Sequence, residues 1–352
     1  MAMGMNTFLI AYLRFFILIF TSLLSITSYA QANKNGWLWA AGGQGSINAN
    51  AALAASQTIR QAGFEIFAVN SGGTIDSLLT LSRGEYDFAN VDTPTLRKVW
   101  NGTGGFQQIR GFSQVLSGFP TFFFMIVPEN SPIKSLADLA GKTVNGHTPG
   151  AVINLWNQDL AQSLVQSGVV RPNSIKLSQI ALSQAVDALL DGRSAAQVGY
   201  TFAGKLPDWV DQATARGIKL RALRMPENIN TAMVSKGWQL GSGADIAEVR
   251  KMDASISPSD LQTNGITTII IARNNLADDV VHKFLTAFFL DVTKIGATHP
   301  ANLVYKEGPI YGSKFLTDDL PVHPGALKFY REKNAFRSTL NSTGNLTINQ
   351  SK

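Results

Sequence analysis

Three short segments carry residues that could bind a small anion: residues 42–46 (GGQGS), residues 71–74 (SGGT), and the pair Asp92 and Thr93. Each follows an apolar stretch typical of a buried strand and precedes a stretch typical of a helix. Backbone N–H groups at a helix N-terminus have no partner within the helix and carry the positive end of its dipole. Because two or more such starts open at strand ends, the sequence predicts a ligand crevice there.

Other uses of these residues stay open from the sequence alone. The glycines can serve a tight turn and close packing, and Asp92 can cap the helix in which Pro94 occupies the first turn. A dinucleotide-binding loop needs a third glycine, but Asn48 stands at that position after Gly43 and Gly45. The lysine of a phosphate-binding P-loop is also missing, so nucleotide binding is not expected.

Metal and thiol chemistry have few candidate residues. The chain has no cysteine, which excludes disulfides, thiolate ligands, cysteine nucleophiles and the lipidated cysteine of a lipoprotein. Its four histidines lack the spacing of a zinc site, and two of them precede proline, which suits helix or turn ends. They are His147, His282, His299 and His323. We expect neither a metal nor another cofactor.

An exported enzyme is one alternative that the sequence leaves open. Residues 131–134 (SPIK) have the spacing of a serine–lysine pair, but they precede a helix cap and the companion motifs are missing. Asp87 and Asp92 are the acidic pair nearest the expected crevice, and spacing alone does not make them an acid and a base. The expectation is therefore a protein without catalytic activity.

The N-terminal segment predicts export. Residues 1–30 contain one charged residue, Arg14, followed by the apolar run 15–24 and the small-x-small pattern Ser28-Tyr29-Ala30. This pattern is typical of a signal peptide cleaved after Ala30, and the apolar run falls short of the ~20 residues that span a bilayer. We expect a soluble periplasmic protein. Removal of Arg14 would lower the net charge from +6 to +5, with basic residues scattered rather than clustered as nucleic-acid binding needs.

The order of predicted elements indicates two similar α/β halves. Strands and helices alternate over residues 37–100 and again over 143–201, while 112–116 and 120–128 are read as separate strands. Stretch 224–258 is read as loop-rich, and 278–293 as one helix after a strand at 266–273. The prediction is domain I at 31–119 plus 268–352 and domain II at 120–267. Strands 120–128 and 266–273 would cross between them, and 337–352 would form a poorly ordered tail.

Several motifs in this order resemble the TAXI family of TRAP-transporter solute-binding proteins. They are the loop AGGQGS (41–46), the glycine turn with SRGEYD (82–87) and NVD (90–92), then SPIKSLADLAGKTVN (131–145) with TPG (148–150), and finally ATHPAN (297–302) and LPVHPGALKFYRE (320–332). The resemblance runs from about Trp37 to Glu332. It implies an α/β fold of the type II-like periplasmic-binding-protein kind, a two-lobed clamshell in which each lobe is a mainly parallel sheet flanked by helices.

The resemblance also implies a function. The protein would be a monomeric extracytoplasmic receptor that binds a small organic anion, a dicarboxylate or an amino-acid-like solute, and delivers it to the membrane subunits of a TRAP transporter. A receptor that reports its ligand to a membrane signalling protein is the alternative. The expected ligand-binding residues are Gly43, Gln44, Gly45, Ser46, Ser71, Gly72, Gly73, Asp92, Thr93, Thr148, Pro149, Gly150, Ala151 and Phe202.

One departure from the family bears on the ligand. The family often has G-S-G-T-R at the loop of the second domain, where the arginine can pair with a ligand carboxylate. Here residues 150–154 read GAVIN, so no arginine stands there. Amide groups of Asn154 or Asn157 would replace it, with less discrimination than a bidentate guanidinium gives.

Overall fold

The structure is a computed structural model that describes residues 36–147, 149–202, 205–241, 247–253 and 262–344. The chain divides into a short leading unit, Met1–Trp37, and a body, Leu38–Lys352. The predicted signal peptide and its cleavage point after Ala30 lie outside the described residues. Within the described part, no helix has both the length and the apolar character needed to cross a membrane.

The first half of the body alternates strands and helices as predicted. Its elements are β1 (Trp37–Gly42), α1 (Ile47–Gln61), β2 (Ile66–Asn70), α2 (Thr74–Ser82), β3 (Phe88–Asp92) and α3 (Thr93–Asn101). β1 runs parallel to β3, with Trp39 opposite Phe88, and every residue of β3 is buried. Parallel pairing places the carboxyl ends of β1 and β3 at one edge of the sheet, and the predicted loops follow those ends.

Two long strands connect the halves. β4 (Phe112–Pro128) is one strand of 17 residues, not the two that the sequence suggested. It pairs antiparallel with β10 (Thr263–Arg273), which also pairs antiparallel with β3. Gly118 allows the two strands to approach closely, because a Cβ atom at this position would lie 2.9 Å from the Cβ of Thr268.

The pairing of β4 with β10 shifts register at two points, first between Thr267 and Ile269 and again between Ile270 and Ile271. Thr267 faces Pro120 and Ile269 faces Ser117, so one residue of β10 lies opposite two residues of β4. Such a β-bulge bends the strands, and Pro120 has no N–H group to contribute to the ladder. The predicted domain boundaries, 119/120 and 267/268, fall at the first of these two irregularities.

The second half adds a further set of strands and helices. They are β5 (Thr143–Asn145), α4 (Val152–Gln166), β6 (Lys176–Ser178), α5 (Ala185–Leu190), β7 (Gln197–Phe202), α6 (Asp208–Ala215), β8 (Leu220–Leu223), α7 (Glu227–Ser235) and β9 (Gln239–Gly241). β5 and β6 are parallel, whereas β7 and β8 pair antiparallel with β4. The two-lobed α/β class is confirmed. The expected mainly parallel sheet in each lobe is not found: the main sheet, in the order β2-β1-β3-β10-β4-β7, is mixed, because the two long strands β4 and β10 run antiparallel to their neighbours.

The apolar run of β4 separates two cores of the second lobe. Phe123, Met125 and Val127 belong to one buried cluster, and Phe122, Phe124 and Ile126 belong to the other. Successive side chains of a strand point to opposite faces, so a continuous apolar run is buried on both. The prediction of a doubly buried strand is therefore confirmed.

The C-terminal helices and the tail differ from the sequence predictions in two respects. The helices are α8 (Asp278–Phe288), α9 (Val292–Thr298), α10 (Pro309–Lys314) and α11 (Pro324–Glu332). The single helix expected at 278–293 is two, because the Asp291 carboxylate caps a new helix by accepting from the amide of Lys294 at 2.8 Å. Residues 337–344 pack against the body, with Leu340 buried and Arg337 bonded to Asp318, so the expected disorder is wrong for that part of the tail. Residues 345–352 lie outside the described chain.

Candidate functional site

The two lobes come together at a pair of glycines. Gly73, just before α2, has φ +110, and a Cβ atom placed on it would lie 3.2 Å from the carbonyl oxygen of Gly150. Gly150, in the loop before α4, has φ +84, and its Cβ would lie 3.9 Å from the carbonyl oxygen of Gly72. The predicted loops of both lobes therefore meet backbone to backbone, where a larger side chain would separate them.

The first loop leads into α1 without a charge of its own. Ser46 caps the helix, its Oγ accepting from the amide of Ala49 at 3.1 Å, and no acidic residue lies in the first turn. The amides of Ile47 and Asn48 then have no partner within the helix. Gln44 and Gly45 are exposed, and Gly43 closes the turn by accepting at its carbonyl oxygen from the amide of Ser46 at 3.0 Å.

The second loop holds a carboxylate of its own. Asp76, in the first turn of α2, accepts from the amide of Gly72 at 2.8 Å. Ser71 lies with its Oγ 2.7 Å from the Oγ of Ser77. The Gly72 amide was expected to bind the ligand, but the Asp76 side chain occupies it. A carboxylate of the chain itself therefore already lies at the start of α2, where the helix dipole favours a negative charge.

Asp92 and Thr93 also have internal partners. The Asp92 carboxylate, 1% exposed, accepts from the amide of Thr95 at 2.9 Å and from the hydroxyl of Thr74 at 2.9 Å. Burial raises its pKa, and the hydrogen bonds from Thr95 and Thr74 act in the opposite direction. The hydroxyl of Thr93 accepts from the amide of Thr267 at 3.3 Å. Capping of α3, the alternative that the sequence left open for Asp92, is confirmed.

The loop of the second lobe begins α4 without a cap. Ala151 is the N-cap residue and makes no side-chain hydrogen bond, and no acid lies in the first turn. Pro149 precedes Gly150 in this loop, and Thr148 lies outside the described residues. The two asparagines proposed in place of the family arginine bond to the backbone instead. Asn154 donates to the carbonyl of Gly146 at 2.7 Å and Asn157 to that of Asn145 at 3.1 Å.

Phe202 belongs to an apolar contact that joins residues of both lobes. It ends β7, is half-buried, and packs together with Ile47 of α1 against a small cluster of Ala51, Phe119 and Ala301. Ile47 also packs against the main core of the second lobe. The first residue of α1 and the last residue of β7 therefore lie where the lobes meet.

The histidine of this loop was not predicted as a site residue. His147 follows β5, is 3% exposed and has φ +58. Its Nε2 atom is buried without a hydrogen-bond partner among the described residues, and burial lowers the pKa of the imidazole to about 4. Its place directly before Thr148-Pro149-Gly150, at the end of a strand, was the sequence signal that could have marked it.

Two other histidines have structural roles. His299 and His323 each cap a helix, with Nδ1 accepting from the amide of Ala301 and of Gly325, both at 3.2 Å. Their expected place at helix ends is confirmed. Among the residues that the structure describes, no group of three or more His, Cys, Asp or Glu side chains is arranged to hold a metal.

Comparisons with known proteins extend over most of the body. Residues 47–333 match the model of the NMT1-like family. Solved structures to which the chain is similar include a periplasmic sulfonate-binding protein of Methylobacillus flagellatus, with 17% identity, coverage of 88% of this chain and 78% of that one, and a TM-score of 0.45. Another is an alkanesulfonate-binding protein of Xanthomonas axonopodis, with 13% identity, coverage of 88% of this chain and 96% of that one, and a TM-score of 0.42. A third is an L-cystine ABC transporter protein of Listeria monocytogenes, with 13% identity, coverage of 76% of this chain and 97% of that one, and a TM-score of 0.45.

Proposed function

The chain belongs to the NMT1-like family, and from its two-lobed fold and its helix starts we propose that it is an extracytoplasmic solute receptor. It closes its lobes on a small organic anion and delivers that anion to a membrane transporter, without chemical change of the ligand.

The distribution of acidic residues at the helix starts carries this proposal. The Asp76 carboxylate accepts from the Gly72 amide just before α2, and the Asp92 carboxylate accepts from the Thr95 amide in the first turn of α3, so both starts already hold a negative charge. α1 and α4, each 15 residues long, begin without any acid in the first turn. Free amides and the positive end of the dipole favour an anionic group at these two starts. The ligand carboxylate is therefore held mainly by backbone groups of α1 and α4.

The geometry of the junction supports closure as the mechanism. Gly73 and Gly150 permit backbone contact between the lobes, and Ile47 and Phe202 cover the apolar side. The irregular pairing between Thr268 and Gly118 lies in the two strands that connect the lobes, which suits a hinge. A ligand that contacts both lobes stabilises the closed state by its differential affinity for it.

The motifs that resemble the TAXI family favour a TRAP-type transporter as the membrane partner. Uptake of radiolabelled ligand into proteoliposomes, with the purified receptor and either TRAP or ABC membrane subunits, tests this part. Uptake that needs ATP hydrolysis would identify an ABC-type partner instead.

A thermal-shift screen of the mature protein tests the receptor function. The solutes are dicarboxylates, amino acids and sugar acids, each paired with its neutral amide or ester. A ligand at ~100 times its Kd adds ~2.7 kcal/mol to the free energy of unfolding, so we expect a clear rise in Tm for an acid but not for its neutral partner. If only neutral solutes bound, the proposal that the ligand is an anion would be wrong. If the radius of gyration did not change at saturation, the proposal that the lobes close on the ligand would be wrong.

A further inference from the structure

We propose that His147 is a specificity residue of the second lobe and that its Nε2 atom hydrogen-bonds the hydroxyl group of a hydroxycarboxylate ligand. This inference rests on the proposed receptor function and names the class of anion that the site prefers.

The first observation is an unsatisfied buried atom. His147 is 3% exposed, and its Nε2 atom has no partner among the described residues. A buried polar group without a hydrogen bond destabilises the folded state, so folded proteins rarely keep one without a reason. A ligand group that reaches Nε2 would satisfy it.

The second observation is the backbone conformation. His147 has φ +58, and the other described non-glycine residues with positive φ are two asparagines, Asn173 and Asn334, which tolerate this region better. Two hydrogen bonds hold the backbone of His147 in this conformation. Its amide donates to Asn145 Oδ1 at 2.9 Å, and its carbonyl accepts from Asn154 Nδ2 at 3.4 Å. Strain that the surroundings maintain is typical of residues that orient a side chain for a ligand.

The third observation is the position in the fold. His147 stands between β5 and the uncapped start of α4, in the loop whose Gly150 touches Gly73 of the first lobe. A ligand whose carboxylate meets the start of α4 lies beside the segment that carries His147. The group next to that carboxylate is the one that the imidazole can recognise.

The chemistry of the imidazole selects the class of group. Burial lowers its pKa to about 4, so the ring is neutral at physiological pH and offers no charge to a second carboxylate. A neutral ring nitrogen is a donor or an acceptor according to the tautomer. A hydroxyl group both donates and accepts, so it pairs with either tautomer, whereas an ammonium only donates and a carboxylate only accepts.

Matched pairs of acids test the inference. Malate with succinate, lactate with propionate, and 3-hydroxybutyrate with butyrate differ by one hydroxyl group. We expect one hydroxy acid to bind the wild-type protein at least about tenfold more tightly than its deoxy partner in calorimetric titrations. His147→Gly removes the imidazole and relieves the positive φ, so it should abolish this preference without lowering the Tm of the free protein.

Two further variants keep the result interpretable. Asn173→Gly relieves the same backbone conformation outside the loop and should keep the preference for the hydroxy acid. His147→Asn tolerates positive φ and replaces His147→Gly if that variant does not fold. Three results would overturn the role of His147 and leave the receptor function standing. The two acids of every pair could bind equally, only other anions could bind, or the preference for the hydroxy acid could survive in His147→Gly. Absence of binding by every solute would contradict both.

Discussion

Lys98 and Asp159 form a buried ion pair between α3 and α4, with Nζ 2.5 Å from Oδ2. The indole Nε1 of Trp238 donates to the same carboxylate oxygen at 2.8 Å. α3 lies in the part of the chain predicted as domain I, and α4 lies in the part predicted as domain II. The pair therefore joins the two predicted lobes by a second contact, distinct from the glycines Gly73 and Gly150.

Breaking this pair should destabilise the protein strongly. Lys98→Met leaves the Asp159 carboxylate buried with the indole of Trp238 as a neutral hydrogen-bond donor. Removal of one member of a buried pair typically costs ~3–5 kcal/mol. Urea unfolding measures the loss. The double variant Lys98→Met/Asp159→Leu removes both charges and should recover most of it. Arg83→Ala, which breaks an exposed pair with Glu85, should change stability by less than ~1 kcal/mol. If Lys98→Met also lowered the free energy of unfolding by less than ~1 kcal/mol, the pair would be well solvated rather than buried.

Gly73→Ala should weaken ligand binding beyond its effect on stability. Gly73 (φ 110, ψ −172) and Gly308 (φ 71, ψ −157) are both N-cap residues in a region almost confined to glycine. Alanine should cost ~1–3 kcal/mol at either position. The two positions differ in what the new Cβ would meet. At Gly73 it would lie 3.2 Å from the carbonyl oxygen of Gly150, whereas at Gly308 no atom lies within 4 Å.

Calorimetric titration separates the two effects of these alanines. We expect about a tenfold loss of affinity for Gly73→Ala and wild-type affinity for Gly308→Ala, with scattering showing an expanded form only for the first. Equal affinities would mean that the contact between Gly73 and Gly150 does not contribute to the bound state.

The loops were predictable from sequence because their signals are local. Glycine turns before helices, the capping position of Asp92 before Pro94, and the apolar run of β4 each depend on a few neighbouring residues. The helices expected directly after the glycine loops at 42–46 and 71–74 were accordingly found, as α1 (Ile47–Gln61) and α2 (Thr74–Ser82).

The features that the sequence missed depend on distant residues or on weak periodicity. The partner of Lys98 is 61 positions away, and no local pattern identifies it. α7 was read as loop because its buried positions Ile229, Asn230 and Met233 give only a short apolar face interrupted by a polar residue. The hydrogen bond from the Gly72 amide to Asp76 could not be predicted from sequence, because only the turn of the folded helix brings that carboxylate back over the loop.

Asn48→Asp should lower the affinity for an anionic ligand without unfolding the protein. Asn48 lies in the first turn of α1, and its Oδ1 accepts from the hydroxyl of Thr268 at 3.0 Å, which an aspartate oxygen can also do. The new charge interacts favourably with the helix dipole but competes with a ligand carboxylate at the same start. Calorimetry should show at least about a tenfold loss that shrinks at high salt, because screening weakens repulsion between charges. An unchanged affinity would place the anion away from α1.

The acid stability of the protein should depend on His147. Its pKa is lowered to about 4 in the folded protein by burial, against 6.5 for the free side chain. Between these values the unfolded chain binds a proton that the folded chain does not, so the free energy of unfolding falls as the pH drops from 6.5 to about 4. The loss from this one group is ~3 kcal/mol. Burial also lowers the pKa of His299 and His323, which adds a loss of the same sign. Urea unfolding at pH 7, 6, 5 and 4 should therefore show a steeper loss for wild type than for His147→Gly, and parallel curves would show that the imidazole is hydrated.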